Sequence, residues 1–78
     1  MTPNQAGPVA VDSSLLARAA YTASESFLDL EFRNGAIYRY FAVPATIHQD
    51  LLAADSKGSY FNSRIRGHFR YVLIKSPR

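Results

Sequence analysis

Residues 27–41 read FLDLEFRNGAIYRYF, and this stretch decides the fold. Leu28, Leu30 and Phe32 alternate with Asp29 and Glu31, the period-two pattern of a strand with one apolar and one polar face. Asn34-Gly35 marks a tight reversal, and Ile37 to Phe41 is rich in β-branched and aromatic residues, so a β-hairpin is expected. Two registers compete. A two-residue loop at Asn34-Gly35 pairs Phe32 with Ile37 and Leu30 with Arg39, setting an arginine among leucines. A three-residue loop, Arg33-Asn34-Gly35 with Gly35 left-handed in a bulge, pairs Leu28 with Tyr40, Leu30 with Tyr38 and Asp29 with Arg39. The second register matches apolar to apolar and charge to opposite charge, and we favour it. It places Tyr38 and Tyr40 on the face of Leu28 and Leu30.

Upstream, Leu15 to Tyr21 fits a helix through Leu15, Leu16, Ala19 and Ala20, or a strand through Leu15, Ala17, Ala19 and Tyr21. Because it runs through Thr22 to Ser24 into the clear strand, a strand in a meander is the more economical reading. Thr2 to Pro8 has no charge and no large apolar side chain, so residues 1–10 are expected as a dispensable flexible tail before one domain at 11–76. Downstream, Pro44 suits a first helical position, and Val43, Ile47, Leu51 and Ala54 follow at helical spacing. A helix is expected from Pro44 to Ala54. Asp55 and Ser56 break it, and Ser56 caps a shorter helix through Tyr60, Phe61, Arg64 and Ile65, closed by Gly67. Phe69 to Ile74 reads as a last strand. The order β-β-β-α-α-β implies a small α+β domain, with both helices on one face of an antiparallel sheet.

Length and composition narrow the function classes. With 78 residues the chain holds one domain and a small core. It has no cysteine, which excludes disulfides and thiolate metal sites and fits a reducing compartment. No apolar run approaches the roughly 20 residues of a membrane span, and the N-terminus lacks signal-peptide character. The expectation is a cytoplasmic protein without membrane contact. His48 and His68 lack metal-ligand spacing, so neither metal nor cofactor is expected. His48, beside Gln49 and Asp50, is expected in solvent. No serine has a histidine and carboxylate spaced as an evident nucleophile system, and the chain reads as non-catalytic.

Charge supplies the functional lead. Residues 56–78 hold Lys57, Arg64, Arg66, Arg70, Lys75 and Arg78 with no acid, a local +6, whereas the first 55 residues carry −3. Tyr60, Phe61, His68, Phe69 and Tyr71 lie among those cations. Cations interleaved with flat rings suit phosphate backbones and unstacked bases. The candidate nucleic-acid-binding residues are Lys57, Arg64, Arg66 and Arg70 for phosphates, with Tyr60 and one of Tyr38 or Tyr40 for stacking. His68 lies in the same basic stretch and is the remaining candidate. Each has a plainer reading. Tyr38 and Tyr40 can simply pack across strands, Lys57-Gly58 can be a turn after a serine cap, and Arg64 and Arg66 can be a solvated helix end. The expected partner is RNA or another polyanion. The alternatives are an acidic protein on the basic face, or strand pairing, including self-association, along the edge of Phe69 to Ile74.

Three pieces in order carry a family resemblance. They are Glu31-Phe32-Arg33-Asn34-Gly35 leading into Tyr38-Arg39-Tyr40, the Val43-Pro44 helix start, and Ser56-Lys57-Gly58-Ser59-Tyr60-Phe61-Asn62 followed by Ile65-Arg66. Together they resemble the KTSC domain, a short module found at the C-terminus of some lysyl-tRNA synthetases and alone in small bacterial proteins. Tyr38 and Tyr40 match its central tyrosine-x-tyrosine. The resemblance spans about Asp12 to Tyr71 and implies RNA binding through the synthetase association, with no catalytic residues to carry over. His68 to Ile74 continues as an apolar strand beyond the recognised part.

Overall fold

The computed structural model describes residues 5–10 and 13–78. In it the hairpin takes the three-residue loop: the Phe32 N–H donates to the Ala36 carbonyl at 2.8 Å, and the Gly35 N–H to the Phe32 carbonyl at 2.9 Å. Leu28 lies opposite Tyr40, Leu30 opposite Tyr38, and Asp29 opposite Arg39. The last pair closes as a two-pronged fork, with Arg39 Nε 2.9 Å from Asp29 Oδ1 and Nη2 3.0 Å from Oδ2. Gly35 has φ +94°, where a side chain is strained.

Five strands, β1 (Gln5–Ala10), β2 (Leu16–Thr22), β3 (Phe27–Phe32), β4 (Ile37–Tyr40) and β5 (Tyr71–Lys75), form one antiparallel sheet in chain order. The strand reading of the second segment holds, with Ala19 opposite Leu30 and Tyr21 opposite Leu28. Its face differs in one detail. A register shift between Leu16 and Arg18 makes Ala17 the extra residue, so Leu16 takes the buried position instead. β1 lies where composition led us to expect a tail, paired on β2 with an irregularity between Ala6 and Val9. An open strand edge presents a row of unpaired backbone N–H and C=O groups to which another strand can pair, whatever its composition. Pro8, which has no N–H to donate, falls in that irregularity. Residues 1–4, also within the expected tail, lie outside the described residues.

One helix, α1 (Ala45–Ala53), starts one residue later than expected, with Pro44 in extended conformation at its N-cap. The buried Tyr21 hydroxyl donates to the Val43 carbonyl at 2.6 Å, fixing the helix entry on the sheet. His48, expected in solvent, is only 8% exposed. Its ring stacks on Tyr21 with centroids 5.2 Å apart. The buried stripe through Val43, Ile47 and Leu51 is wide enough to include the neighbouring position, as apolar helix stripes ordinarily are. Burial lowers the His48 pKa below its ordinary value.

Ser56 caps α2 (Lys57–Tyr60), its hydroxyl accepting from the Ser59 N–H at 3.2 Å. The helix runs on into a π-helical turn, Phe61–Ile65, marked by the Arg66 N–H donating five residues back to Phe61 at 2.8 Å. Phe61 and Ile65 both bury there. They join Leu16, Ala19, Tyr21, Leu28, Leu30, Tyr40, Val43 and Leu51 in one core between helices and sheet. Each fully buried leucine contributes about 1.5–3 kcal/mol by leaving water. The chain end, beyond the expected boundary at 76, returns to the hairpin loop: the Arg78 N–H donates to the Asn34 carbonyl at 2.8 Å and Nη2 to the Arg33 carbonyl at 3.0 Å.

Candidate nucleic-acid interface

On the helical side of the sheet, five aromatic rings close a circuit. Phe32 meets Tyr38 with centroids 5.7 Å apart, and Tyr38 meets Tyr71 at 5.5 Å. Tyr71 meets Tyr40 at 5.6 Å, Tyr40 meets Phe61 at 6.0 Å, and Phe61 returns to Phe32 at 5.3 Å. Four of the contacts are edge-to-face, the arrangement that ring quadrupoles favour. The strands explain the circuit. Tyr38 and Tyr40 alternate on β4, Tyr71 stands opposite Tyr40 on β5, and Phe61 comes down from the π turn.

These five rings, with Arg66 and Gly67, line a cavity of about 220 Å³. Arg66 follows directly after the π turn and is exposed; one weak bond, 3.4 Å to Asn62 Oδ1, ties its guanidinium to the turn. Gly67, at φ +79°, turns the chain away. Irregular helical turns of this kind recur at functional sites. The Tyr40 pKa is pushed up to about 12 by burial, with Tyr38 and Tyr71 adding to the effect and Arg66 opposing it. Tyr40 therefore stays a neutral hydroxyl at physiological pH. The cavity thus offers flat ring walls, the tyrosines that carry hydroxyls among them, and one cation at the rim.

The candidate residues divide. Tyr38, Tyr40 and Arg66 come together in this cavity. Lys57 does not, because its ammonium donates to the Ala54 carbonyl at 2.8 Å across the break between the helices. Tyr60 packs against the core, and its pKa rises through burial, with Asp50 adding to that rise. Arg64 is exposed on the π turn, and His68 is exposed in the loop before β5. Arg70 belongs to the opposite face of the sheet, its guanidinium 5.3 Å from the Phe41 ring centroid. The single surface expected from Lys57, Arg64, Arg66 and Arg70 is therefore split by the sheet. Phe32, Phe61 and Tyr71 complete the cavity and were not among the candidates. Their signal was geometric, since a last strand lying beside β4 brings Tyr71 opposite Tyr40.

The far face has its own hollow of about 190 Å³, lined by Arg18, Asp29, Glu31 and Ile37 among others. Its charges already have partners, Arg18 with Glu31 at 3.1 Å and Asp29 with Arg39. It offers less to an incoming anion than Arg66 does. Among the described residues no group of three His, Asp or Glu side chains is placed to hold a metal ion. No helix there is long and apolar enough to cross a membrane.

The model of the KTSC domain family matches residues 12–69. An uncharacterized protein of Stutzerimonas stutzeri is 45% identical over 67 residues, covering 85% of this chain and 94% of that protein. A lysine–tRNA ligase of Nostoc sp. is 42% identical over 63 residues, which are 81% of this chain and 11% of the ligase. The crystal structure of a KTSC domain protein from Yersinia pestis superposes with a TM-score of 0.86 at 31% identity, covering 91% of this chain and 99% of that one.

Proposed function

This chain belongs to the KTSC domain family, and on that premise we propose that it is a non-catalytic module binding single-stranded RNA, with one unpaired base held in the ring-lined cavity. The observation that carries this reading is the joining of five aromatic rings and the Arg66 guanidinium around one opening. Proteins that read unpaired RNA stack splayed bases on aromatic side chains and arginine planes, each stacked base contributing about 1–3 kcal/mol. The cavity, at about 220 Å³, is smaller than the roughly 300–1,000 Å³ of ordinary small-molecule pockets. One flat group fits that description better than a whole metabolite. The lysine–tRNA ligases that share this region act, by their name, on an RNA, which supports the same ligand class here.

In this reading Tyr71, half out in solvent, is the first ring a base meets, and Tyr38 and Tyr40 receive it further in. Arg66 pairs with the adjoining phosphate through its planar fork of donors. Arg64 and His68, exposed on the same segment, extend the cationic path, while Arg70 on the other face takes no part.

Titration with single-stranded RNA at two salt concentrations tests it. Binding should weaken with salt at a slope of about −0.7 per phosphate contacted. With Lys57 and Arg70 removed from the footprint, the slope should be roughly −1 to −2 rather than the −3 of four contacts. Arg66→Glu and Tyr71→Ala should each weaken binding about tenfold or more, in line with the stacking and charge terms above, and Arg70→Glu should leave it unchanged. Equal losses from Arg70→Glu and Arg66→Glu would remove the cavity from the footprint.

A further inference from the structure

We propose that β5 is the interface of a symmetric dimer of this chain, in which two copies of the strand pair antiparallel about a two-fold axis at Val72. Tyr71, Val72, Leu73 and Ile74 are between 44% and 55% exposed. They occupy the edge of the sheet, beyond which no strand follows among the described residues. Edge strands are ordinarily guarded by charge, proline or a bulge. The opposite edge, β1, contains Pro8. On β5 the irregular pairing and the charge of Lys75 lie at the far end, leaving Tyr71 to Leu73 unguarded.

The backbone phase fixes the register. Because the Phe41 N–H donates to the Arg70 carbonyl at 2.9 Å, Arg70 and Val72 direct their backbone groups toward β4. Tyr71 and Leu73 therefore direct theirs outward, by the alternation of an antiparallel ladder. A two-fold axis perpendicular to the sheet keeps each face on its own side, so a residue on the axis lies opposite itself. With Val72 on the axis, Tyr71 faces Leu73 of the second copy, and each such pair exchanges two N–H···O bonds. All four outward donors are then satisfied. Moving the axis to Leu73 leaves only the Leu73 pair bonded, because Lys75, which would face Tyr71, is itself paired with Ile37.

Side chains favour the same register and a second copy as the occupant. On the far face of the sheet Val72 meets Val72, and on the cavity face Tyr71 lies beside Leu73. Arg70 falls opposite Ile74, and Lys75 opposite Phe69, so no cation faces a cation. An acidic peptide strand would instead set carboxylates against Val72 and Leu73. A single strand pair buries less than the roughly 1,200 Å² at which stable interfaces begin, so the dimer is expected to be reversible at micromolar concentration. Both cavities then open on one face of a ten-stranded sheet, a consequence that rests on the RNA reading although the dimer itself does not.

The chain has no cysteine, which makes single-cysteine cross-linking decisive. In Val72→Cys the two new side chains occupy a non-hydrogen-bonded pair, with Cα atoms about 4.5 Å apart, inside disulfide range. In Leu73→Cys the self-distance is roughly 8 Å by strand rise and spacing, outside that range. Oxidation should therefore convert Val72→Cys to covalent dimer and Leu73→Cys hardly at all. Sedimentation of the parent chain should show concentration-dependent dimer. Val72→Lys, which sets two ammonium groups opposite each other, should raise the dissociation constant about tenfold or more while circular dichroism shows the fold intact. A parent chain monomeric throughout the micromolar range, or cross-linking at position 73 in preference to 72, overturns the proposal. Dimerisation without RNA binding would uphold it and count only against the RNA reading.

Discussion

Tyr40 and Tyr71 stand directly opposite each other on β4 and β5, their rings tilted by 42° with centroids 5.6 Å apart. Tyr40 is buried and Tyr71 is exposed, so the pair runs from the core to the surface. One residue holds the fold and the other forms the lip of the cavity. Two side chains of the same kind should therefore respond differently to the same truncation. Tyr40→Ala is expected to cost about 3–5 kcal/mol, as large aromatic core truncations do. Tyr71→Ala should cost about 1 kcal/mol, the worth of a cross-strand aromatic contact. Urea denaturation of both variants checks this, and equal losses would mean that Tyr71 is core rather than lip.

Alkaline stability should report on the same residue. With the Tyr40 pKa raised to about 12, the folded state keeps a proton that the unfolded state releases near pH 10. Stability is thus full below pH 10 and falls as pH rises through the folded value. Tyr60, also raised, adds to the fall. Tyr40→Phe should flatten the loss between pH 10 and about 12 without abolishing it, as thermal melts across that range will show.

At the acid end His48 governs. Its pKa is lowered by burial from 6.5, so the unfolded chain binds the proton first, and stability declines as pH falls from 6.5 toward the folded value. His48→Gln should remove that decline, whereas His68→Gln, at an exposed site, should leave it. Melting temperatures measured from neutral pH to pH 5 distinguish the two.

Gly35→Ala tests the joint between hairpin loop and chain end. A Cβ there would lie 2.7 Å from Arg78 Cγ, on a backbone at φ +94°. The loss should be about 1–2 kcal/mol from the backbone strain. Arg78→Ala in the same chain should relieve the crowding but leave the strain. Full recovery in the double variant would contradict this division.

Legibility in the sequence followed the range of the interaction. Asp29 opposite Arg39 and Leu30 opposite Tyr38 were readable because a hairpin's register is decided by neighbours across one turn. The helices and the last strand were readable from Pro44, Ser56 and Gly67. The strand at Gln5–Ala10 was not, because its sequence, Gln-Ala-Gly-Pro-Val-Ala, shows neither a period-two alternation nor a run of β-branched and aromatic residues. His48 was misread because its burial depends on where Tyr21 of another element lies. The candidate cavity was half legible for the same reason. Tyr38, Tyr40 and Arg66 were named, but Phe32, Phe61 and Tyr71 join them only once β5 is known to lie beside β4. That placement also sends Arg70 to the far face and so divides a charge cluster that was continuous in sequence.

The most direct measurement is the set of chemical-shift changes in the ¹H–¹³C aromatic and ¹H–¹⁵N spectra on adding a short single-stranded RNA. If the base enters the cavity, the rings of Tyr38, Tyr40, Phe61 and Tyr71 and the Arg66 backbone and side chain should shift together and saturate together. Phe27, Phe41 and Arg70 on the other face should stay still. Shifts confined to Phe41 and Arg70, or none at RNA concentrations well above micromolar, would contradict the proposed function.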